Sequence, residues 1–179
     1  MTQATSAKAW IQTRHGGRFN LLDPGARDIH YKDIAASLSK LCRFTGHVSE
    51  FYSVAQHSVL VSLLVPPDDA LWGLMHDAAE AYLGDIATPL KNLLPDYKAI
   101  EARVEACVFA AEGLTGSMPP SVKQADLRLL AAEKLALLPG SEEWELLAGV
   151  RPAPFTITPC WSPQHAEEMF IRRYDFLWR

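Results

Sequence analysis

Four ionisable residues lie inside segments that otherwise have the composition of buried helices. They are His57 in YSVAQHSVLVS, His76 and Asp77 in LWGLMHDAAEAYLGD, and Asp126 in SVKQADLRLL. A buried charge without a partner is costly, and placing two imidazoles and two carboxylates around one divalent cation removes that cost. The residue types therefore predict a metal site. Taken singly, each has another interpretation, since a buried histidine is commonly a hydrogen-bonded core residue and a helical aspartate a cap or surface group.

The elements that would carry these residues are predicted to be helices joined by short loops. Apolar residues recur at helical spacing, and proline or glycine separates each periodic segment from the next. Asp33 is the predicted N-cap of the first helix. The pattern predicts an all-α, single-domain helical bundle over residues 31–179, preceded by a short irregular arm, residues 1–30, in which GRFNLLDP is a strand or an extended turn. The predicted helices cover residues 33–44, 53–65, 68–83, 88–94, 95–112, 120–138, 142–148 and 163–178.

The bulk composition excludes some classes of function. Of the 179 residues 49% are hydrophobic, which is enough for the core of one domain, and the formal charge is -4. That charge argues against a protein that coats a nucleic-acid polymer, because such binding depends on a basic surface. No apolar stretch approaches the roughly 20 residues of a membrane-spanning helix. Three cysteines without a CxxC pair favour a reducing compartment, so we expect a soluble, cytoplasmic protein.

The order of the four residues, with the doublet His76-Asp77 between His57 and Asp126, resembles the HD-domain superfamily of metal-dependent phosphohydrolases. The segments HDAAEAYLGDIATPLK, YKAIE and VKQAD are similar to the bacterial 5'-deoxynucleotidase branch, and small phage dATP triphosphohydrolases have a similar size and motif layout. The resemblance covers residues 33–137. It implies an HD-domain bundle, a small nucleotide substrate, assembly as a homo-oligomer, and a divalent ion held by the four residues. Zn, Co or Mn suits these ligands, and Fe or Ni is compatible.

The resemblance also implies roles for residues that follow the doublet. Glu80 and Asp85 correspond to the residues that handle protons, so we expect them to be catalytic. Lys91 and Thr88 correspond to contacts with the substrate phosphate. Each has a plainer alternative: a solvated glutamate for Glu80, a helix N-cap for Asp85 or Thr88, and an ordinary surface lysine for Lys91.

Further candidates lie before and beside the first histidine. Arg43 would bind the phosphate or the sugar, because a planar guanidinium suits bidentate contact with an anion. Phe44 stands where the relatives carry tryptophan, and it would stack on the base unless it is a core residue. His47 would meet the phosphates or lie in a surface turn. Gln56 and Ser58 flank the histidine and are expected to fix its imidazole.

The leading functional hypothesis is hydrolysis of a 2'-deoxynucleoside monophosphate to deoxynucleoside and phosphate. A triphosphohydrolase that releases intact triphosphate is the alternative, with the basic RHGGR segment, which contains Arg14 and Arg18, as a source of extra phosphate contacts. Hydrolysis of a cyclic nucleotide or an alarmone is less favoured, because further motifs of the alarmone enzymes are missing. A hypothesis of a different class is a non-catalytic, metal-binding regulatory domain, which would not require Glu80, Asp85 or Lys91.

Overall fold

The computed structural model describes residues 9–178 and has the predicted all-α architecture, with a two-stranded hairpin in front of the helices. The first eight residues of the predicted arm lie outside the described residues. The strands and helices are β1 Trp10–Gln12, β2 Arg18–Asn20, α1 Tyr31–Leu38, α2 Val54–Leu64, α3 Ala70–Met75, α4 Glu80–Leu83, α5 Thr88–Lys91, α6 Pro95–Ala111, α7 Pro120–Leu137 and α8 Pro163–Leu177. Short 3-10 turns are Ala26–Asp28, Arg43–Gly46, Pro67–Asp69 and Glu145–Leu147.

Helix α2 is the central element of the bundle. Residues 54–62 of it are all buried, the polar side chains included, as in a helix that other elements enclose on every side. The Ser53 side chain caps it by accepting a hydrogen bond from the Gln56 amide, and Pro66 follows its end. It packs against α3, α7 and α8. His57, in the middle of α2, is consequently at the centre of the domain.

The described part of the predicted arm contains the hairpin. Strands β1 and β2 pair antiparallel, with Ile11 opposite Phe19. Phe19 is fully buried and stacks on Tyr82 of α4, with 3.9 Å between the ring centroids. The strand alternative for GRFNLLDP is therefore the correct one, and the hairpin belongs to the same core as the helices.

The prediction for the first helix was wrong at both ends. Helix α1 begins at Tyr31 with His30 as its N-cap, so Asp33 lies inside the first turn. Asp33 does not cap the helix, because its Oδ1 is bonded to the backbone amide and ring Nδ1 of His15. The helix ends at Leu38, and residues 43–46 form a separate turn. These tertiary contacts are not visible in local spacing.

The single helix predicted over residues 68–83 is divided at the His-Asp doublet. Helix α3 ends at Met75 and α4 begins at Glu80. Between them the backbone forms tighter i→i+3 hydrogen bonds, from the amide of Ala78 to Met75 and from that of Glu80 to Asp77. A mid-helix 3-10 stretch of this kind often marks a functional segment. The doublet therefore sits on a tightened turn and not on a continuous α-helix.

The remaining helices agree with the sequence apart from two. The helix predicted over residues 88–94 ends at Lys91. The segment predicted as a helix over residues 142–148 contains only the short turn Glu145–Leu147. The last helix, α8, is capped by the Ser162 side chain, which accepts from the backbone amide of His165. The three cysteines are free thiols. Among residues 9–178, none of the helices combines the length and the apolar character needed to span a bilayer.

Candidate metal centre

Three of the four predicted metal ligands, His57, His76 and Asp126, come together at one point between α2, α7 and the turn after α3, and Asp77 lies beside the two histidines. The Nε2 atoms of His57 and His76 are 3.3 Å apart, and Nε2 of His57 is 3.4 Å from Oδ1 of Asp126. Asp77 Oδ2 lies 3.1 Å from Nε2 of His76 and 3.6 Å from Nε2 of His57. Ligands bound at about 2.0–2.2 Å to one divalent ion stand roughly 3–3.5 Å from one another. Ligand atoms of His57, His76 and Asp126 all lie within 4.8 Å of one another and could hold a metal ion.

The hydrogen bonds on the far side of each imidazole show that the arrangement fits a cation. Nδ1 of His76 is 2.8 Å from the carbonyl oxygen of Gly73, which only accepts, so Nδ1 carries the proton. Nδ1 of His57 is 2.6 Å from Oε1 of Glu133, a carboxylate whose pKa is lowered. In the neutral rings, both Nε2 atoms then present lone pairs to each other and to two carboxylates. A positive charge at this point, either a bound cation or a proton on one of the rings, makes that geometry favourable.

The electrostatics of the four residues follow from the same geometry. Burial and the charge of Arg43 lower the pKa of His57, but Glu133 and Asp126 raise it more, to about 9. Burial raises the pKa of Asp77 and of Asp126, yet the neighbouring histidines bring both well below the usual range. The site therefore attracts positive charge strongly, and its carboxylates are ionised at neutral pH.

Glu133 is a residue of this site that the sequence analysis missed. It is fully buried on α7 and contacts His57, whereas the flanking residues expected to fix that imidazole do not. Gln56 Oε1 instead accepts from the backbone amide of Trp161, and the Ser58 hydroxyl donates to a carbonyl of its own helix. Glu133 follows Asp126 by seven residues, which places both on one face of a helix. That spacing is the signal that could have identified it.

Arg43 lies beside the centre, between two of its carboxylates. Its guanidinium is 3.5 Å from Asp77 Oδ2 and donates to Glu133 Oε2 at 3.2 Å. Burial lowers the pKa of Arg43, but these carboxylates and Asp126 raise it above the ordinary value, so the group is a permanent cation. Phe44 is half-buried and belongs to neither hydrophobic cluster of the core. Its backbone is left-handed (φ 56°), and its ring lies near Trp144 and the Arg43 guanidinium.

The residues expected to be catalytic form a second group beside the first. Glu80 is buried, and its Oε2 has no hydrogen-bond partner among the described residues, while Oε1 is 3.5 Å from Nζ of Lys91. Burial, together with the charges of Asp77 and Asp85, raises the pKa of Glu80 well above its ordinary value. Burial likewise raises the pKa of Asp85. Neither is a surface group, and α5 has Ala87 as its N-cap, so Asp85 does not serve as that cap.

Two predicted substrate contacts are not joined to the centre by any described contact. His47 is exposed. It belongs to the lining of a cavity of about 530 Å³ formed by residues 46–49 and 136–139, which include none of the predicted metal ligands. Thr88 is exposed at the first position of α5, three residues before Lys91. Both roles stay predictions.

Comparison with known proteins gives close relatives. No family model matches the chain. It is 46% identical over 172 residues to the uncharacterized protein YfdR of Escherichia coli, a match that covers 94% of this chain and 96% of that protein. It is 37% identical over 128 residues to the uncharacterized protein RCAP_rcc00048 of Rhodobacter capsulatus, which covers 66% of this chain and 65% of that protein. The chain belongs to the same protein family as YfdR.

Proposed function

We propose that this protein is a metal-dependent phosphohydrolase of the HD-domain type that converts 2'-deoxynucleoside monophosphates to deoxynucleoside and phosphate. The observation that carries the proposal is the pair of imidazole Nε2 atoms 3.3 Å apart, each ring already bonded through Nδ1 and both facing carboxylates. The adjoining buried Glu80, with an unpartnered oxygen, supplies a group for proton transfer that a structural ion site would not need.

The ligands proposed for the ion are His57, His76, Asp77 and Asp126. Mixed nitrogen and oxygen donors suit Zn, Co or Mn, with Fe or Ni also compatible. When bound, such an ion supplies a Lewis acid for the phosphoryl oxygen and lowers the pKa of water. Assembly into a homo-oligomer, as in the enzymes the sequence resembles, is part of the same proposal.

The protein's own residues supply the proton transfers. Glu80 accepts a proton from the attacking water, and a carboxyl whose pKa is raised is suited to that exchange near neutral pH. The water oxygen bonds to phosphorus and the bond from phosphorus to the 5' oxygen breaks. Asp85, whose pKa burial also raises, donates the proton that the leaving oxygen requires. Lys91 and Arg43 offset the negative charge that develops on the phosphoryl oxygens.

The contacts of Arg14 and Arg18 remove one support for the triphosphate alternative. The triphosphate alternative relied on the RHGGR segment for additional phosphate contacts. Arg14 instead donates to both oxygens of Glu167, at 2.9 and 3.1 Å. The Arg18 guanidinium lies over the Trp10 ring, 4.4 Å from its centroid. Neither arginine has a described contact with the centre, so the RHGGR segment does not supply the extra phosphate contacts that the triphosphate alternative assigned to it.

The test is a product assay with metal-reconstituted protein. The protein is freed of metal, loaded separately with Zn, Co, Mn, Fe or Ni, and incubated with each deoxynucleoside mono- and triphosphate. Orthophosphate and deoxynucleoside from the monophosphates are expected, and a chelator should abolish their formation. Release of intact triphosphate would support the alternative reaction. Absence of hydrolysis with every metal and substrate, in protein shown to bind the metal, would favour the regulatory domain.

A further inference from the structure

A fully buried carboxylate behind the proposed metal ligands has no place in the reaction described so far. Glu133 is 0% exposed in the C-terminal part of α7, in the stretch LAAEKLAL, whose one other charged residue is Lys134. It accepts hydrogen bonds from three side chains: the Tyr52 hydroxyl at 2.8 Å, His57 Nδ1 at 2.6 Å, and Arg43 Nη2 at 3.2 Å. A carboxylate so completely bonded is rigid.

Stability alone gives no reason for such a group to be retained. Removing a charge from water costs several kcal/mol, and well-packed apolar side chains in place of a buried ion pair are often as stable or more so. Glu133 must therefore be considered for what it does to its partners. One of them is a proposed metal ligand and another is the cation beside Asp77.

Helix α7 holds the His57 imidazole from both sides. Asp126 Oδ1 lies 3.4 Å from Nε2, and Glu133 Oε1 lies 2.6 Å from Nδ1. The two carboxylates are seven residues apart, which is about 10 Å along a helix axis, so the ring spans the distance between them. The bond to Glu133 keeps the proton on Nδ1 and leaves the Nε2 lone pair directed at His76 and Asp126.

The same carboxylate fixes Arg43. One guanidinium nitrogen donates to Glu133 and another is 3.5 Å from Asp77, so the group is held between the buried carboxylate and a proposed ligand. His76 is supported differently, since its Nδ1 bonds to the backbone carbonyl of Gly73. A change at Glu133 is therefore expected to reach His57 and Arg43 together and to leave His76 in place.

We infer that Glu133 is a positioning residue, which orients His57 for metal binding and holds Arg43 beside Asp77. The inference rests on the proposed metal-dependent function, and it goes beyond that function by assigning a residue that touches neither metal nor substrate. Substitution of Glu133 lowers the affinity for the metal through its effect on His57 and alters substrate binding through its effect on Arg43.

The experiment measures Co²⁺ binding to the metal-free full-length chain, without substrate, by titration and by the visible spectrum of the bound ion. Glu133→Gln retains the size and an acceptor oxygen but removes the charge. Loss of an outer partner of a metal-ligating histidine commonly costs about 10–100-fold in affinity. We expect a decrease in that range, with a shifted Co²⁺ spectrum. Glu133→Asp, which keeps the charge but withdraws it, should give an intermediate affinity.

Glu112→Gln is the matched control. Glu112 is also buried and also accepts from a tyrosine hydroxyl, that of Tyr174 at 2.7 Å, but it has no described contact with a proposed ligand. Its Co²⁺ affinity should equal that of the wild type. Tyr52→Phe removes one bond from Glu133 and leaves the carboxylate, so its effect should be smaller than that of Glu133→Gln.

The outcomes separate this inference from the proposed function. A folded Glu133→Gln protein that binds Co²⁺ within twofold of wild type, with an unchanged spectrum, overturns the inference. If that variant does not fold, Glu133→Asp is judged by the same criterion. Wild-type protein that binds Co²⁺ but hydrolyses no nucleotide refutes the proposed function, and the affinity ratio still decides the role of Glu133. Wild-type protein without Co²⁺ binding refutes both.

Discussion

Two glutamates are buried in different regions of this protein, and their surroundings shift their pKa values in opposite directions. Glu133 lies at the centre, where α2 and α7 meet, and Glu112 lies at the junction of α6 with α8. Each accepts a hydrogen bond from a tyrosine hydroxyl. Burial raises the pKa of both, but Arg43 and His57 bring the pKa of Glu133 below the ordinary value, whereas that of Glu112 stays raised.

The difference between the two glutamates shows what turns a buried carboxyl into part of a charged site. The residue type and the tyrosine partner are the same, and both side chains are buried, although Glu133 is enclosed more completely than Glu112. What differs is the presence of two cationic or basic groups within hydrogen-bond distance of Glu133. The centre is therefore built to keep charges that the rest of the core excludes, which is what a site for an ion and an anionic substrate requires.

The largest expected effect comes from removing a ligand at the centre. His76→Ala deletes one of the two facing Nε2 atoms, so metal affinity should fall by more than about 100-fold, exceeding a second-sphere loss. A bound ion whose free concentration is 100 times its dissociation constant stabilises the folded protein by about 2.7 kcal/mol. At about 2–4 °C per kcal/mol for a chain of this size, a chelator should lower the wild-type melting temperature by roughly 5–10 °C. Calorimetry with and without chelator should show no such change in His76→Ala.

The control for that experiment is His165→Ala, because His165 is exposed on α8 away from the predicted ligands. It should keep the full difference between metal-loaded and metal-free protein. An equal chelator effect in His76→Ala and wild type would mean that the stabilising ion binds elsewhere. The centre would then not be the metal site that sets this region apart from the rest of the core.

Glu80→Gln should separate binding from chemistry. The amide cannot accept the proton of the attacking water, so the rate of monophosphate hydrolysis should fall by about 10²–10⁴-fold. Glu80 is not among the proposed ligands, and metal content and melting temperature should remain close to wild type. Steady-state kinetics with metal analysis on the same sample measure both. Retained activity in Glu80→Gln would contradict the assigned role, and loss of metal together with activity would make Glu80 a ligand.

A smaller effect is expected where α3 meets α2. A Cβ added at Gly73 would lie 3.0 Å from Cα of Ser62 and 3.2 Å from its nitrogen, closer than side chains normally approach a backbone. Alanine favours a helix over glycine, but the clash must separate the two helices, and we expect a net loss of about 1–2 kcal/mol in Gly73→Ala. Urea unfolding measures it. Because the Gly73 carbonyl accepts from His76, metal affinity should fall as well.

Gly17→Ala is the control for the packing argument. Its new Cβ would meet only the Thr13 hydroxyl, at an ordinary 3.5 Å. We expect a change within about 0.5 kcal/mol, the usual range for a surface substitution. Equal stability of Gly73→Ala and wild type would show that the two helices can move apart at no cost, and the centre would then be less rigid than the distances indicate.

The sequence predicted the parts of the centre that have a local signal. Helices bounded by proline and glycine were recoverable from spacing, and the His-Asp doublet with its two distant partners was recoverable from resemblance. Contacts between distant segments were not. Asp33 has the residue type of an N-cap, and only its contact with His15 assigns it elsewhere. Glu133 shares a helix face with Asp126, but its contact with His57 arises only when α7 packs against α2. The break in the helix at the His76-Asp77 doublet was likewise not predictable, because the surrounding residues are good helix formers.

The smallest expected effect concerns Glu112, at the junction of α6 with α8. Burial raises the pKa of Glu112 above its unfolded value, so the folded state holds its proton to higher pH. The free energy of unfolding contributed by this group is then largest at low pH and decreases as pH rises through the interval between the two pKa values. Glu112→Gln cannot titrate, so its stability relative to wild type should improve across that interval. Tyr174→Phe removes the hydrogen bond that lowers the Glu112 pKa, so the decrease should begin at the same pH as in the wild type and extend to higher pH. Urea unfolding of the three proteins between pH 4 and pH 8, about the range in which carboxyls titrate, measures both effects. Parallel curves for Glu112→Gln and wild type would mean that Glu112 is ionised as readily in the fold as outside it, and the contrast with Glu133 would then be one of partners alone and not of charge.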